Sequence, residues 1–178
     1  MKTTITFEFE NTENNFDLVS TKLCSEGVTM LLPEILQDLN EEELKAIFSS
    51  NQTPTIAKRS SERNISFSLH YSEIDIREIS DDFITNVVDV QDQTLSRVVP
   101  GYEKYSIISK QLDGNTVACL LYRSYSLQYD LYNILFAFVH KNMLIQGNFS
   151  CLLNEQEAWT MVFQACLESL KFNVGEGV

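Results

Sequence analysis

Hydrophobic residues on both sides of two predicted strands mark residues 103–150 as the centre of a β-sheet. Asp113-Gly114 is typical of a two-residue type I′ hairpin, because both residues tolerate a positive φ. Beyond it, residues 117–126 and 129–139 carry apolar side chains on both faces, and a further strand covers residues 143–150. Strands of this kind lie in the middle of a sheet that is covered on both sides. We therefore predict a four-strand antiparallel meander between layers of helices.

Further strands are predicted before the meander. Residues 3–9 alternate polar and apolar positions, which is the period of a half-buried strand. A second strand covers residues 28–32 and ends at Pro33. Two more are expected at 55–59 and 64–71, and the last of these has one solvated face, which carries Ser66, Ser68 and His70.

Three helices are predicted from their start and stop signals. Asn40, followed by Glu43, is an N-cap with an acidic third position, and the acids after Asn40 suit the positive end of the helix dipole. A second helix opens at residues 80–82 and stops at Pro100-Gly101. The third opens at Asn154, and its spacing predicts a buried face made of Trp159, Val162, Phe163, Cys166, Leu167 and Leu170.

These elements together predict an α+β fold. We expect one antiparallel sheet of about six to seven strands with helices on both faces, an α/β/α sandwich. No repeat, low-complexity stretch or linker interrupts the chain, so residues 1–178 are expected to form a single domain. A chain of 178 residues, 44% of them apolar, has enough apolar side chains to form one hydrophobic core.

The net charge argues against nucleic acid as a partner. The chain has 13 Lys and Arg against 25 Asp and Glu, a formal net charge of −12. Binding a polyanion needs basic residues against phosphates, and the one basic cluster, Lys58, Arg59 and Arg63, contains Glu62. The acidic surface is compatible with a basic protein partner, but solubility explains the charge equally well.

No motif for catalysis, metal binding or cofactor binding is present, so we predict no catalytic, metal-ligating or cofactor-binding residue. The two histidines, His70 and His140, have no nucleophile signature around them, and both are expected to be structural or simply exposed. Asp89 and Asp92 lie three apart on a predicted helix, a spacing common on a solvated face. Metal-binding spacings and glycine-rich phosphate loops are missing.

Four isolated cysteines and the absence of a targeting signal favour the cytoplasm. Cys24, Cys119, Cys151 and Cys166 form no C-x-x-C pair, so we expect buried free thiols. The N-terminus has no signal-peptide pattern, and no segment approaches the length of a membrane span.

A tyrosine-rich stretch is the remaining unusual feature. Most of its rings, at Tyr122, Tyr125, Tyr129 and Tyr132, are expected to pack between sheet and helix with the hydroxyl at the rim. One or two of them could anchor a partner, and the candidates for such a contact are Tyr125 and Tyr129.

The order of elements over residues 28–172 resembles the PsbP-like fold family, which includes bacterial DcrB-type proteins. The resemblance is carried by Pro100-Gly101-Tyr102-Glu103, Asp113-Gly114-Asn115, Tyr132-Asn133-Ile134-Leu135-Phe136 and the helix around Trp159. It implies a sheet between helices and a role in binding proteins without catalysis. Some bacterial cytoplasmic relatives look like adaptors or chaperones for secreted toxins. The chain lacks the signal and lipobox cysteine of secreted members.

Three functional hypotheses follow. The first is a non-catalytic cytoplasmic adaptor or chaperone of a bacterium that binds a partner protein, such as a secreted effector or toxin, on a sheet face or edge. It requires an exposed apolar patch or an open strand edge. The alternative is an acidic immunity protein that neutralises a basic toxin through a concentrated negative patch. The third is an enzyme or small-ligand binder with a deep polar pocket.

Overall fold

A computed structural model describes residues 2–9, 12–48, 53–75, 82–126 and 128–172 of the chain. Its helices are α1 (Glu41–Ile47), α2 (Phe83–Val98) and α3 (Gln156–Glu168), the last preceded by a 3₁₀ turn at Leu153–Glu155. Its strands are β1 (Lys2–Phe9), β2 (Thr12–Lys22), β3 (Val28–Pro33), β4 (Gln37–Asp38), β5 (Ile56–Ser60), β6 (Ile65–Glu73), β7 (Glu103–Leu112), β8 (Asn115–Ser126), β9 (Tyr129–His140), β10 (Met143–Leu152) and β11 (Lys171–Phe172).

The predicted meander forms one half of a seven-stranded antiparallel sheet. The order of its strands is β4-β5-β6-β10-β9-β8-β7, so β8 and β9 lie inside the sheet as predicted. The hairpin between β7 and β8 turns at Asp113 and Gly114, whose φ angles are 48° and 80°. These positive values are those that a type I′ turn requires. The meander prediction is therefore confirmed.

The first three strands and the last form a separate four-stranded sheet, which the sequence analysis did not predict. Its order is β1-β2-β3-β11. The predicted strands at 3–9 and 28–32 belong to this small sheet and not to the large one. Strand β2 was missed because its eleven residues contain few apolar side chains, so neither a strand nor a helical period stands out.

The main core lies on the inner face of the large sheet, which we define as the face covered by α3 and the small sheet. Phe149 of β10 stacks on Phe163 of α3 with ring centroids 4.5 Å apart, and it also contacts Phe67 of β6 at 4.9 Å. All six residues of the predicted buried face of α3 are buried. The predicted N-cap of α3, Asn154, was wrong. The 3₁₀ turn comes before the helix, and Glu155 is the N-cap residue.

Helix α2 covers part of the opposite, outer face. Its buried Ile84 and Val88 pack against Ala118 and Leu120 of β8 and against Ala137 of β9. The large sheet therefore has helices on both faces, as predicted for an α+β sandwich. The predicted start of α2 fell on residues 80–82; the helix begins just after Asp82, while Ser80 and Asp81 lie outside the described residues.

Helix α1 begins as its sequence predicts. The side chain of Asn40 accepts hydrogen bonds from the backbone of Glu42 and Glu43, and the carboxylate of Glu43 accepts one from the Asn40 N–H at 2.9 Å. This reciprocal pair is a capping box. No residue of α1 is fully buried, so its apolar side chains remain partly exposed beside the large sheet.

Candidate functional site: a polar cleft on the large sheet

The outer face of the large sheet has an apolar part under α2 and a polar part beside α1. The register places Arg59 of β5 opposite Ser66 of β6, Ser66 opposite Ser150 of β10, and Ser150 opposite Asn133 of β9. Directly opposite residues in an antiparallel pair share a face. These four residues therefore form one polar row across four strands, which we call the polar row.

The polar row forms the floor of an open cleft with a volume of about 960 Å³, which we call the polar cleft. A neighbouring register line adds Ser68 and Asn148 to the floor. One wall consists of Leu39 and the end of α1, and the other of the turn between β8 and β9 with the start of β9. The wall residues are Leu39, Ala46, Ile47 and Phe48 on one side, and Ser126, Gln128, Tyr129 and Leu131 on the other.

Amide and hydroxyl groups of the floor are linked to one another. Asn133 is only 4% exposed, and its Nδ2 donates to the Ser124 Oγ at 2.9 Å. The Nδ2 of Asn148 lies 3.5 Å from the Asn133 Oδ1. Within the described part of the chain, the Oδ1 of Asn148 has no hydrogen-bond partner. A buried carbonyl oxygen of this kind costs free energy until a donor reaches it.

The cleft differs in charge from the rest of the protein. Among the described residues that line it there is no Asp or Glu, although the chain carries 25 of them. Lys58 is held by Asp38 at 2.7 Å, whereas no ion pair joins Arg59 to any other described residue. Of the acids of α1, Glu41 lies 3.6 Å from Lys45, and the carboxylate of Glu43 accepts a hydrogen bond from the Asn40 N–H.

The two candidate partner-contact tyrosines are both exposed, and one of them lines the cleft. Tyr129 is 55% exposed and stands on the cleft wall. Tyr125 is 47% exposed, and its N–H donates to the Pro100 carbonyl at 2.8 Å, which places it by the turn after α2. Tyr122 and Tyr132 are buried. Contact of Tyr125 and Tyr129 with a partner stays a prediction.

Only part of the cleft was predictable from the sequence. Ser66 and Ser68 were predicted on a solvated strand face, and both are half-buried on the cleft floor. Asn133, Asn148 and Ser150 were not predicted as site residues. A signal was present, since Asn133 interrupts the apolar run of β9, and Gln146, Asn148 and Ser150 follow one another on one face of β10.

A second, apolar cavity of about 260 Å³ lies on the inner face between α3 and strands β7 to β9. Leucine, isoleucine and valine side chains line it together with Cys119, and the remaining lining residues are Lys110, Thr160, Gln164 and Glu168. Burial raises the pKa of the Cys119 thiol to about 12, and burial likewise raises those of Cys151 and Cys166 to about 12. All four cysteines are free and buried, as predicted, and thiols in this state are poor nucleophiles.

The two histidines lie on different strands of the large sheet and differ in exposure. His70 is exposed on β6, and His140 is buried with its Nε2 3.1 Å from the Glu26 carbonyl oxygen. The described residues contain no group of three or more His, Cys, Asp or Glu placed to hold a metal ion. They also contain no helix that is both long and apolar enough to cross a membrane.

Comparison with known proteins identifies the fold. No protein-family model matches the chain, and no curated protein sequence matches it. Cyanobacterial PsbP (CyanoP) from Synechocystis sp. PCC 6803 superposes with a TM-score of 0.69 at 15% identity, over 88% of this chain and 92% of that one.

Two further solved structures are similar. LpqN of Mycobacterium tuberculosis, involved in cell envelope biogenesis, gives a TM-score of 0.58 at 12% identity over 96% of this chain and 90% of that one. The Ran-binding protein Mog1p of Saccharomyces cerevisiae gives 0.55 at 11% identity over 88% of this chain and 96% of that one. At these identities the similarity establishes the fold.

Proposed function

We propose that this chain, which has the PsbP-like fold, is a non-catalytic module that binds a segment of a partner protein in the polar cleft. The observation that carries the proposal is the open part of the outer sheet face, with exposed Tyr129 and Ile47 on its two walls. Aromatic side chains with a polar tip are typical anchors of protein interfaces. One structure of the same fold is described as a Ran-binding protein, which supports the same class of function.

The finer form of the proposal is a bacterial cytoplasmic adaptor or chaperone for a secreted effector or toxin. The buried thiols of high pKa and the two separated histidines favour binding over catalysis. The alternative of an acidic immunity protein rests on the net charge of −12 alone. The polar cleft, in contrast, offers a defined place for a partner segment.

The experiment is photo-crosslinking from the cleft wall, followed by measurement of the affinity of the chain for the purified partner. A photoreactive phenylalanine replaces Tyr129 in one variant and Tyr71, which is also exposed but lies outside the cleft, in the matched control. We expect a discrete crosslinked protein from position 129 and none from position 71 in cells of the native host. The captured protein is then purified, and its Kd for the chain is measured by calorimetry.

The affinity of Tyr129→Ala decides the outcome. Removing an aromatic anchor at an interface costs about 1–2 kcal/mol, so we expect the Kd to rise roughly five- to thirtyfold, with Tyr71→Ala unchanged. Equal crosslinking from both positions, no crosslink from position 129, or an unchanged Kd for Tyr129→Ala would each contradict binding of the partner against the Tyr129 wall of the cleft.

A further inference from the structure

We propose that the occupant of the polar cleft is an extended acidic segment of the partner, with a carboxylate held by the guanidinium of Arg59. This inference rests on the proposed function and adds the chemistry of the partner to it. Three features of the cleft support it: the charge of the lining, the position of Arg59 and the length of the polar row.

The charge of the lining favours an acidic occupant. Acids make up 25 of the 178 residues, yet no described residue that lines the cleft is acidic. A carboxylate that enters the cleft therefore meets no like charge on the cleft surface, whereas elsewhere it approaches a protein of net charge −12. A long polyanion such as nucleic acid would extend past the cleft onto that acidic surface, so the complementarity suits a short segment.

Arg59 is the group placed to receive the charge. It stands at one end of the polar row, opposite Ser66, and it is exposed. Asp38 is engaged with Lys58 instead, and Arg59 has no ion-pair partner among the described residues. The planar guanidinium matches a carboxylate with two parallel hydrogen bonds, a geometry that lysine cannot provide.

The length of the polar row sets the size of the segment. Neighbouring strands lie about 4.8 Å apart, so the three spacings from Arg59 to Asn133 span about 14 Å. An extended chain covers that distance with about four residues. Its N–H and C=O groups would meet serine hydroxyls of the floor, where Ser66 and Ser68 are half-buried. Apolar neighbours of the acidic residue would contact Ile47 or Tyr129 on the walls.

The test is a selection from a random displayed-peptide library on the intact protein. The enriched peptides are synthesised with a fluorescein label, and their Kd is measured by fluorescence anisotropy. We expect Asp or Glu with apolar neighbours among the enriched peptides. We also expect about tenfold or greater loss of affinity with Arg59→Glu, and weaker binding as salt is added.

Matched variants make the result specific to Arg59. Arg97→Glu makes the same change of charge at an exposed arginine of α2 outside the cleft, and we expect it to bind the peptides as the wild type does. Arg59→Gln removes the positive charge without introducing a negative one. Circular dichroism of both Arg59 variants shows whether they are folded, so that loss of binding is distinguished from loss of folding. A peptide with Lys in place of its acidic residue is expected to bind Arg59→Glu more tightly than the wild type.

Three results would overturn the inference: no enriched peptide, enriched peptides without an acidic residue, or equal losses with Arg59→Glu and Arg97→Glu. Any of these, together with a specific crosslink from position 129, leaves the proposed function standing and removes only the acidic segment. Enrichment of acidic peptides whose binding depends on Arg59, without a crosslink at position 129, supports the ligand chemistry and removes the placement of the partner on the Tyr129 wall.

Discussion

Gly147 of β10 is a residue whose size is dictated by one aromatic neighbour. A Cβ atom added at this position would overlap the ring of Phe136 on β9. Phe136 is fully buried and also packs against Phe138, Phe67 and Phe149, so its ring has no free space to move into. The glycine is therefore required by packing between cross-strand partners, which no local pattern in the sequence reveals.

We expect Gly147→Ala to lower the free energy of unfolding by roughly 1–3 kcal/mol, the usual cost of overpacking a core. The measurement is equilibrium unfolding in urea. Phe136→Leu also destabilises on its own, but in the double variant the smaller side chain makes room for the added methyl group. The double variant should therefore lose less than the sum of the two single losses. Simple additivity of the two changes would contradict the overlap.

Asp92 joins helix α2 to the start of β7. Lys104 Nζ donates to its carboxylate at 2.6 Å, and the Tyr102 hydroxyl also donates to it. Desolvation raises the pKa of Asp92, but the hydrogen bonds from Lys104 and Tyr102 outweigh it and hold the pKa below its usual value of 3.8. A depressed carboxyl pKa contributes stability above the unfolded value, and that contribution is lost as the pH falls through the folded value.

Asp92→Asn is therefore expected to be about 1 kcal/mol less stable than the wild type at pH 7, with the loss limited because Lys104 is half exposed to water. The difference between the two proteins should begin to shrink below about pH 4, where Asp92 of the unfolded wild-type chain becomes protonated, and should shrink further as the pH falls through the lower pKa of the folded protein. Urea unfolding of both proteins at pH 7 and pH 3 measures this. A difference that stays constant over that range would exclude the charge as its cause.

At the scale of elements, short-range signals predicted α1, the β7–β8 hairpin and the buried face of α3. Each depends on residues close together in sequence, such as the capping pair Asn40 and Glu43 or the positive φ of Asp113 and Gly114. Strand β2 was missed because its few apolar residues show no period, and its pairing with β1 and β3 forms it. The start of α3 was missed because a 3₁₀ turn precedes the helix, in which Glu155 accepts a hydrogen bond from Trp159 Nε1 at 2.9 Å.

The capping box should control the local stability of α1. Asn40→Ala removes the acceptor for the N–H groups of Glu42 and Glu43, which costs about 1 kcal/mol at a typical cap. Because α1 has no fully buried residue, we expect faster amide hydrogen exchange in residues 41–47 with little change elsewhere. Asn40→Asp keeps an acceptor and is the control. Unchanged exchange in Asn40→Ala would show that contacts other than the cap hold the helix.

At the scale of the whole molecule, the two sheets and α3 enclose one large inner core. Cys119, Cys151 and Cys166 all lie in it, on β8, β10 and α3 respectively. Burial raises the pKa of each of these thiols to about 12. Their reactivity therefore reports on opening of the core.

We expect Cys119, Cys151 and Cys166 to react with an aromatic disulfide reagent at pH 8 only as fast as the molecule opens. At that pH a thiol with a pKa of about 12 is almost entirely protonated, and the buried sulfur is inaccessible to the reagent. Adding urea below the unfolding midpoint should raise the labelling rate in step with the population of unfolded molecules. Rapid labelling in the absence of urea would mean that the core opens locally beside these cysteines.

Hydrophobic period and turn residues in the chain were sufficient to predict the helices, the four-strand meander and the central position of β8 and β9. These features depend on neighbours in sequence and on which side chains avoid water. Strand order and register decide instead that a second sheet forms. They also decide that one row joins Arg59, Ser66, Ser150 and Asn133. Long-range pairing sets both, since a shift of one residue turns every side chain to the other face.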